Sequence, residues 1–166
     1  ESERICRKTS GNTTAKITSQ HRLIYADILK KYGCEAASKY YLINQRAIEE
    51  FAGLSERTEC DFERKDNFIY SLSDEKKLDD EMDALEKIRA KAMLYPSLSA
   101  LPFDVLGAVK FPDQAQFNPV KFVTAISKNM HIYESSRVLG FDGKTYYGKD
   151  FKVTANKVIV ATHFPI

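Results

Sequence analysis

Hydrophobic residues change their spacing along this chain, and that change alone excludes an all-helical or an all-strand fold. Tyr25, Ile28, Leu29 and Tyr32, then Ala37, Tyr40, Tyr41, Ala47, Ile48 and Phe51, recur every three or four positions, which is one face of a helix. Cys60, Phe62 and Arg64, then Phe68, Tyr70 and Leu72, recur every second position, as on strands. Leu78, Met82, Leu85, Ile88 and Ala92 return to helical spacing. Lys157-Val158-Ile159-Val160-Ala161-Thr162 is then a continuous apolar run, the pattern of a strand covered on both faces in a parallel sheet. The expectation is an α+β or α/β architecture with helices laid on sheets.

The punctuation sets the expected boundaries. Helices are expected from about 22 to 32 and from 35 to 52, with Gly33 as a left-handed stop between them. Lys65-Asp66-Asn67 reads as the turn of a hairpin spanning 59–73, and Ser73 as the cap of a helix reaching about Leu94. Ala108 to Phe111 and Ala115 to Phe117 read as two short strands around a Pro112-Asp113 turn. Asn118-Pro119 then opens a helix, the Asn capping it and the Pro taking its first position. Strands are expected over 132–141, at Tyr146-Tyr147 and over 151–154, with Asp142-Gly143-Lys144 as a turn. The 158–162 strand is expected to pair with its own chain or with a second copy.

Composition narrows the class. At 166 residues, 43% hydrophobic with ten Phe and nine Tyr, the chain can bury a core and is not a disordered segment. No apolar run approaches the roughly 18 residues of a membrane span. With 25 basic and 23 acidic residues, a net charge of +2 gives no pull toward nucleic acid or anionic membrane. Cys6, Cys34 and Cys60 are odd in number and widely spaced, so reduced thiols in a cytoplasmic protein are expected rather than a disulfide framework or a metal knuckle. There is no initiator Met and no apolar leader, and both ends look cut, so a piece of a longer protein is expected.

Motifs taken singly are weak. Thr9-Ser10-Gly11-Asn12-Thr13-Thr14-Ala15-Lys16 lacks the second Gly and the Lys-Ser/Thr pair of a P-loop. Its small hydroxyl residues leave a surface loop and an anion contact equally open. His21, His131 and His163 have no metal-ligand spacing, and no nucleophilic triad or nucleic-acid signature stands out.

Taken together, four segments resemble FAD-dependent oxidoreductases of the D-amino-acid oxidase and glycine oxidase type. Glu1-Ser2-Glu3-Arg4-Ile5 resembles the end of that family's second strand. Residues 10–21, Ser-Gly-Asn-Thr-Thr-Ala-Lys-Ile-Thr-Ser-Gln-His, resemble the loop running along the pyrophosphate toward the flavin. Ala115-Gln116-Phe117-Asn118-Pro119 resembles the return from substrate domain to FAD domain. Ser136-Arg137-Val138-Leu139 and Ala155 to His163 resemble the adenine-contacting strand and the strand ending in Ala-Thr-Gly. The likeness is greatest to a bacterial subgroup with Thr-Thr-Ala-Lys-Ile-Thr-x-Gln-His and Ala-Thr-His-Tyr/Phe-Pro, whose members often carry a Rieske [2Fe–2S] domain downstream.

The resemblance implies a fragment of an α/β FAD-binding domain, residues 1–21 and 118–166, interrupted by part of a mixed-sheet substrate domain with helices, residues 22–117. Glu1 would hold the ribose, and Ser10, Thr13 and Thr14 would line the path from phosphate to flavin. Lys16 would lie near the isoalloxazine, where a cation steadies the anionic reduced ring. Val138 would meet the adenine edge, and Thr162 would end the last strand. The expected partner is a small molecule, an amine or amino acid, that yields a hydride to the flavin. A homodimer through exposed strand edges is also expected. The Gly-x-Gly-x-x-Gly turn and the substrate-carboxylate arginine would lie outside the chain. His163 replaces a common Gly, and Cys6-Arg7-Lys8 replaces a smaller stretch. The alternative is a non-catalytic α+β module serving protein contacts.

Overall fold

The computed structural model describes residues 1–161. Its elements are β1 (Lys16–Ile17), α1 (Tyr25–Ser55), β2 (Glu63–Ser71), α2 (Glu75–Lys87), β3 (Met93–Tyr95), β4 (Gly107–Gln116), α3 (Pro119–Ile126), β5 (Gly140–Asp142), β6 (Thr145–Tyr147) and β7 (Lys152–Thr154). The α+β class is as expected. Every strand pair among the described residues is antiparallel, however, so the parallel component expected of a mixed sheet is not found there.

β4 is the spine of the larger sheet. β2 runs along one side of it, and β1 and β3 share the other. Helices α1 and α2 cover one face, where Tyr25, Ala37, Tyr41, Leu78, Leu85, Val109 and Phe111 form the main core. Tyr25 stacks on Phe111 at 5.9 Å, and both are wholly buried. Side chains of this size each contribute about 1.5–3 kcal/mol on burial. Phe68, Tyr70, Tyr95 and Lys110 lie on the opposite face, which no helix covers among the described residues and where Phe103 packs against Tyr70.

The break at Gly33 is as expected: its backbone, at φ +84° and ψ 173°, is not helical, so α1 is two helices joined across a kink there. Several other expected boundaries are corrected. The 59–73 hairpin does not form. β2 is one strand with a bulge between Lys65 and Asn67, and its partner is the distant β4. The two short strands around Pro112-Asp113 are likewise one strand, with Asp113 at a φ of 56°. The irregularities of β2 and β4 face each other, and Asp66 accepts from the Asp113 amide across them.

Asp74, not Ser73, caps α2, accepting from the Lys77 amide at 3.0 Å. That helix stops at Lys87 rather than near Leu94. Arg89 turns left-handed, its amide donates to Glu86, and the Ala90 amide reaches back to Leu85. This is the double-bonded helix end usually built on Gly. Residues 93–95, freed from the helix, pair with β4 as β3.

At α3 the expectation holds. Asn118 accepts from the amides of Val120 and Lys121, and Pro119 follows it. The turn at Gly143 holds too, joining β5 to β6 with a φ of 56° at the glycine. The strand expected over 132–141 is reduced to Gly140 and Phe141 within β5. Residues 157–161 form no strand at all, and Val158, Ile159 and Val160 are exposed, Ile159 at 91%. The expected pairing with the chain itself therefore fails over 158–161, because no neighbouring strand is offered. Thr162 and His163 lie outside the described residues.

Candidate cofactor-facing site

The segment from Thr9 to His21 is built from tight local turns. Thr9–Gly11 form one turn of 3₁₀ helix. A Cβ on Gly11 would lie 1.8 Å from the carbonyl oxygen of Cys6, so the glycine is needed for the chain to approach itself. Ser10, Thr13 and Thr14 are exposed on this loop. Ala15 adopts a φ of 60°, which turns the chain into β1, where Lys16 faces Gln116 and Ile17 faces Ala115.

Thr13 and Lys16 line one cavity of about 300 Å³, walled by Asn44, Ile48, Phe51 and Phe117. Thr13 also borders a second cavity, of about 580 Å³, beside the start of α3. Ser10 and Thr14 line neither.

Beyond Ile17 the chain is locked down. Tyr25 donates from its hydroxyl to the Ser19 carbonyl at 2.6 Å, and Gln20 donates to the Val109 carbonyl at 3.0 Å. Asn67 in turn donates to Gln20 at 2.6 Å. His21 Nδ1 sits 2.7 Å from the Tyr40 hydroxyl. Burial raises the Tyr25 phenol well above its ordinary range, so it stays a donor at all physiological pH values.

Glu81 is the second anchor. Ile24 offers no capping side chain to α1, and the wholly buried Glu81 carboxylate of α2 takes that role. It accepts from the amides of Tyr25 at 3.1 Å and Ala26 at 2.9 Å. Burial raises its pKa, against the lowering effect of those backbone amides. A carboxylate at the positive end of a helix satisfies two otherwise orphaned donors.

Glu1 and Val138 meet elsewhere. The Glu1 amine donates to the Tyr133 carbonyl, the Ser136 amide to the Glu1 carbonyl at 2.8 Å, and the Ser135 amide to the Glu3 carbonyl. These bonds place Glu1 and Val138 on one groove of about 780 Å³, with Tyr146, Phe151, Val153 and Ile159 among its walls. The expected site residues thus fall into two groups, Glu1 with Val138 and Thr13 with Lys16, with Ser10 and Thr14 on the loop leading to the second. Thr162 lies outside the described residues.

Sequence reasoning missed Gln114 and Glu81. Glu81 carried a readable signal, since it stands three residues after Leu78 and four before Leu85, inside the apolar stripe. Gln114 carried none, because the bulge beside it changes which way the strand faces.

Among the described residues, no group of His, Cys, Asp and Glu could hold a metal ion, and no helix is long and apolar enough to cross a membrane. The three cysteines are unpaired thiols.

An antiparallel sheet backed by helices, joined to a groove closed by the first residues and the 133–138 segment, is the frame within which the comparisons fall. The family model for FAD dependent oxidoreductases matches residues 1–164, and the chain belongs to that family. It is also 26% identical, over 99% of its length, to YhfW of Bacillus subtilis strain 168, whose name casts it as a Rieske 2Fe-2S iron-sulfur protein. The chain spans 35% of that relative. No solved structure matches it significantly.

The residues present fit the adenosine end of the FAD that the family implies. The Glu1–Val138 groove has apolar walls for a purine, and Glu1, whose Oε1 accepts from the Ser2 amide and hydroxyl, keeps a second carboxylate oxygen able to accept from a ribose hydroxyl. The loop hydroxyls of Ser10, Thr13 and Thr14 are exposed and free to donate to an anion.

Proposed function

We propose that this chain supplies part of the FAD-holding surface and part of the substrate roof of a flavoenzyme that oxidises an amine or amino acid. The observation carrying the reading is the pairing of Glu1 and Glu3 with residues 133–136. It brings residues 132 positions or more apart into one groove of the right chemistry. In this reading Glu1 binds the ribose and the Val138 backbone faces the adenine. Ser10, Thr13 and Thr14 line the way from phosphate to flavin, and Lys16 lies by the ring. FAD, when bound, supplies the hydride acceptor. The chain's own residues bind and orient it, and Lys16 adds a positive charge where negative charge collects.

Residues 1–21 and 118–166 act as cofactor domain, and residues 22–117 as substrate domain. The helix-free face bearing Phe68, Tyr70 and Tyr95 is the substrate side, since the other face is filled by α1 and α2. A downstream [2Fe–2S] domain, in keeping with the Rieske 2Fe-2S name of the Bacillus relative, would give electrons an exit other than oxygen. Two copies associate through the open edge of β2, and the protein works in the cytoplasm.

The full-length polypeptide, purified aerobically, tests the reading. It should be yellow, with flavin absorption bands that bleach when an amine or amino acid from a screened panel is added without oxygen. A colourless protein that takes up no FAD would overturn it and leave the alternative, an interaction module using the helix-free aromatic face.

A further inference from the structure

How the Thr13–Lys16 stretch is held goes beyond the flavoenzyme reading, and its functional meaning rests on that reading. β1 has two ladder positions only, too few to fix a loop. Where the ladder ends, the side chain of Gln114 replaces it. This side chain is wholly buried. Its Oε1 accepts from the Ser19 amide at 2.8 Å, the Ser19 hydroxyl at 3.2 Å and the Thr18 hydroxyl at 3.1 Å. Its Nε2 donates to the Pro112 carbonyl at 2.9 Å. The Ser19 amide can only donate and the Pro112 carbonyl can only accept, so chemistry fixes which way the Gln114 amide points.

Ser19 is gripped from other sides as well. Gln45 of α1 donates to its hydroxyl at 2.7 Å, and Tyr25 to its carbonyl. All three polar groups of Ser19 are therefore satisfied inside the protein. Among the described residues, Gln114 links the loop to the bulge of β4. An amide or carbonyl left unmet here would be buried without a partner, so the cluster is held as a unit.

We infer that Gln114 is a positioning residue for the cofactor. It touches no part of the proposed site, yet it sets where Thr13, Thr14 and Lys16 stand by fixing the two residues that follow β1. The sequence hides this role, because a glutamine in a strand reads as solvent-facing.

The test measures FAD binding by the full-length polypeptide. Gln114→Leu should weaken FAD affinity at least about tenfold, change the visible circular dichroism of the bound flavin, and speed hydrogen exchange at the Ser19 amide. Gln114→Glu is the sharper variant and decides the matter should the Leu variant fail to fold. When protonated, its carbonyl can accept from Ser19 while its hydroxyl donates to Pro112, as the amide does. When ionised, it sets a carboxylate oxygen against the Pro112 carbonyl. Its FAD affinity, taken as a ratio to wild type at each pH, should approach one near pH 5 and fall as pH rises. A ratio flat with pH, or a Leu variant that binds FAD with wild-type affinity and dichroism, would overturn the positioning role. Wild-type protein that binds no FAD would overturn the flavoenzyme reading instead.

Discussion

Two regions of this molecule obey different rules. From β1 to α3, every element has a partner. Helices α1 and α2 cover one face of the larger sheet, and long-range bonds from Glu81 and Gln20 tie the loop before α1 in place. From Ser127 to Ala161 the strands are three residues long, and the most apolar stretch, Val158 to Val160, lies in solvent. Both regions are rich in apolar residues, so hydrophobicity is not the difference. A helix completes its backbone bonds within itself, whereas a strand must be given a neighbour. The first region contains its own neighbours; in the second, β5, β6 and β7 pair with one another, but its described part offers no strand to 157–161.

That contrast can be broken most forcefully at its strongest point. Phe111→Ala should destabilise the fold by about 3–5 kcal/mol, because the ring is wholly buried against Tyr25 and Tyr41. Chemical denaturation measures it, and a loss below 1 kcal/mol would mean that the sheet and helices are not packed as described.

Glu81→Ala should cost about 2–4 kcal/mol, since two helix-start amides lose their acceptor inside the protein. Glu81→Gln should cost less, because an amide oxygen still accepts. The pH dependence has a definite sign. Burial raises the folded-state pKa of Glu81. Its contribution is therefore fully present below the unfolded value of about 4.3 and is lost as pH rises through the raised folded value. The stability advantage of wild type over Glu81→Gln should shrink over that window. An advantage that grows with pH would show that the amide bonds outweigh the burial.

The smallest effect sharpens the comparison from the other side. Ile159→Ser should change stability by less than about 0.5 kcal/mol, because the residue buries almost nothing. Thermal unfolding of wild type and variant reads it. A loss of 2 kcal/mol would mean that 157–161 has a partner after all.

What the sequence made legible follows the same division. The helix faces of α1 and α2 and the Asn118-Pro119 start of α3 rest on local rules and were read directly. So was the turn at Gly143, where the chain must adopt a φ that favours glycine. The bulges at Asp66 and Asp113 read as turns in the sequence alone. A break in alternation looks the same in both cases, and only pairing with a strand some 45 residues away separates them. For the site, the resemblance supplied Glu1 and Val138, and the fold then placed them on one groove. Of the parts that hold the loop, Glu81 shows in the sequence only as an acid inside an apolar stripe, and Gln114 not at all. Their role exists only once distant segments have met.

The central claim is that the groove closed by Glu1 and the 133–138 segment receives the adenosine half of FAD. The direct measurement is FAD affinity of the full-length polypeptide before and after Glu1→Ala, with FMN, which lacks the adenosine, as the comparison ligand. The account predicts that the substitution weakens FAD binding about tenfold, the loss of a charge-assisted hydrogen bond of roughly 1.5 kcal/mol, and leaves FMN binding unchanged. Equal affinities for FAD with and without the Glu1 carboxylate, in protein that is otherwise folded, would contradict it.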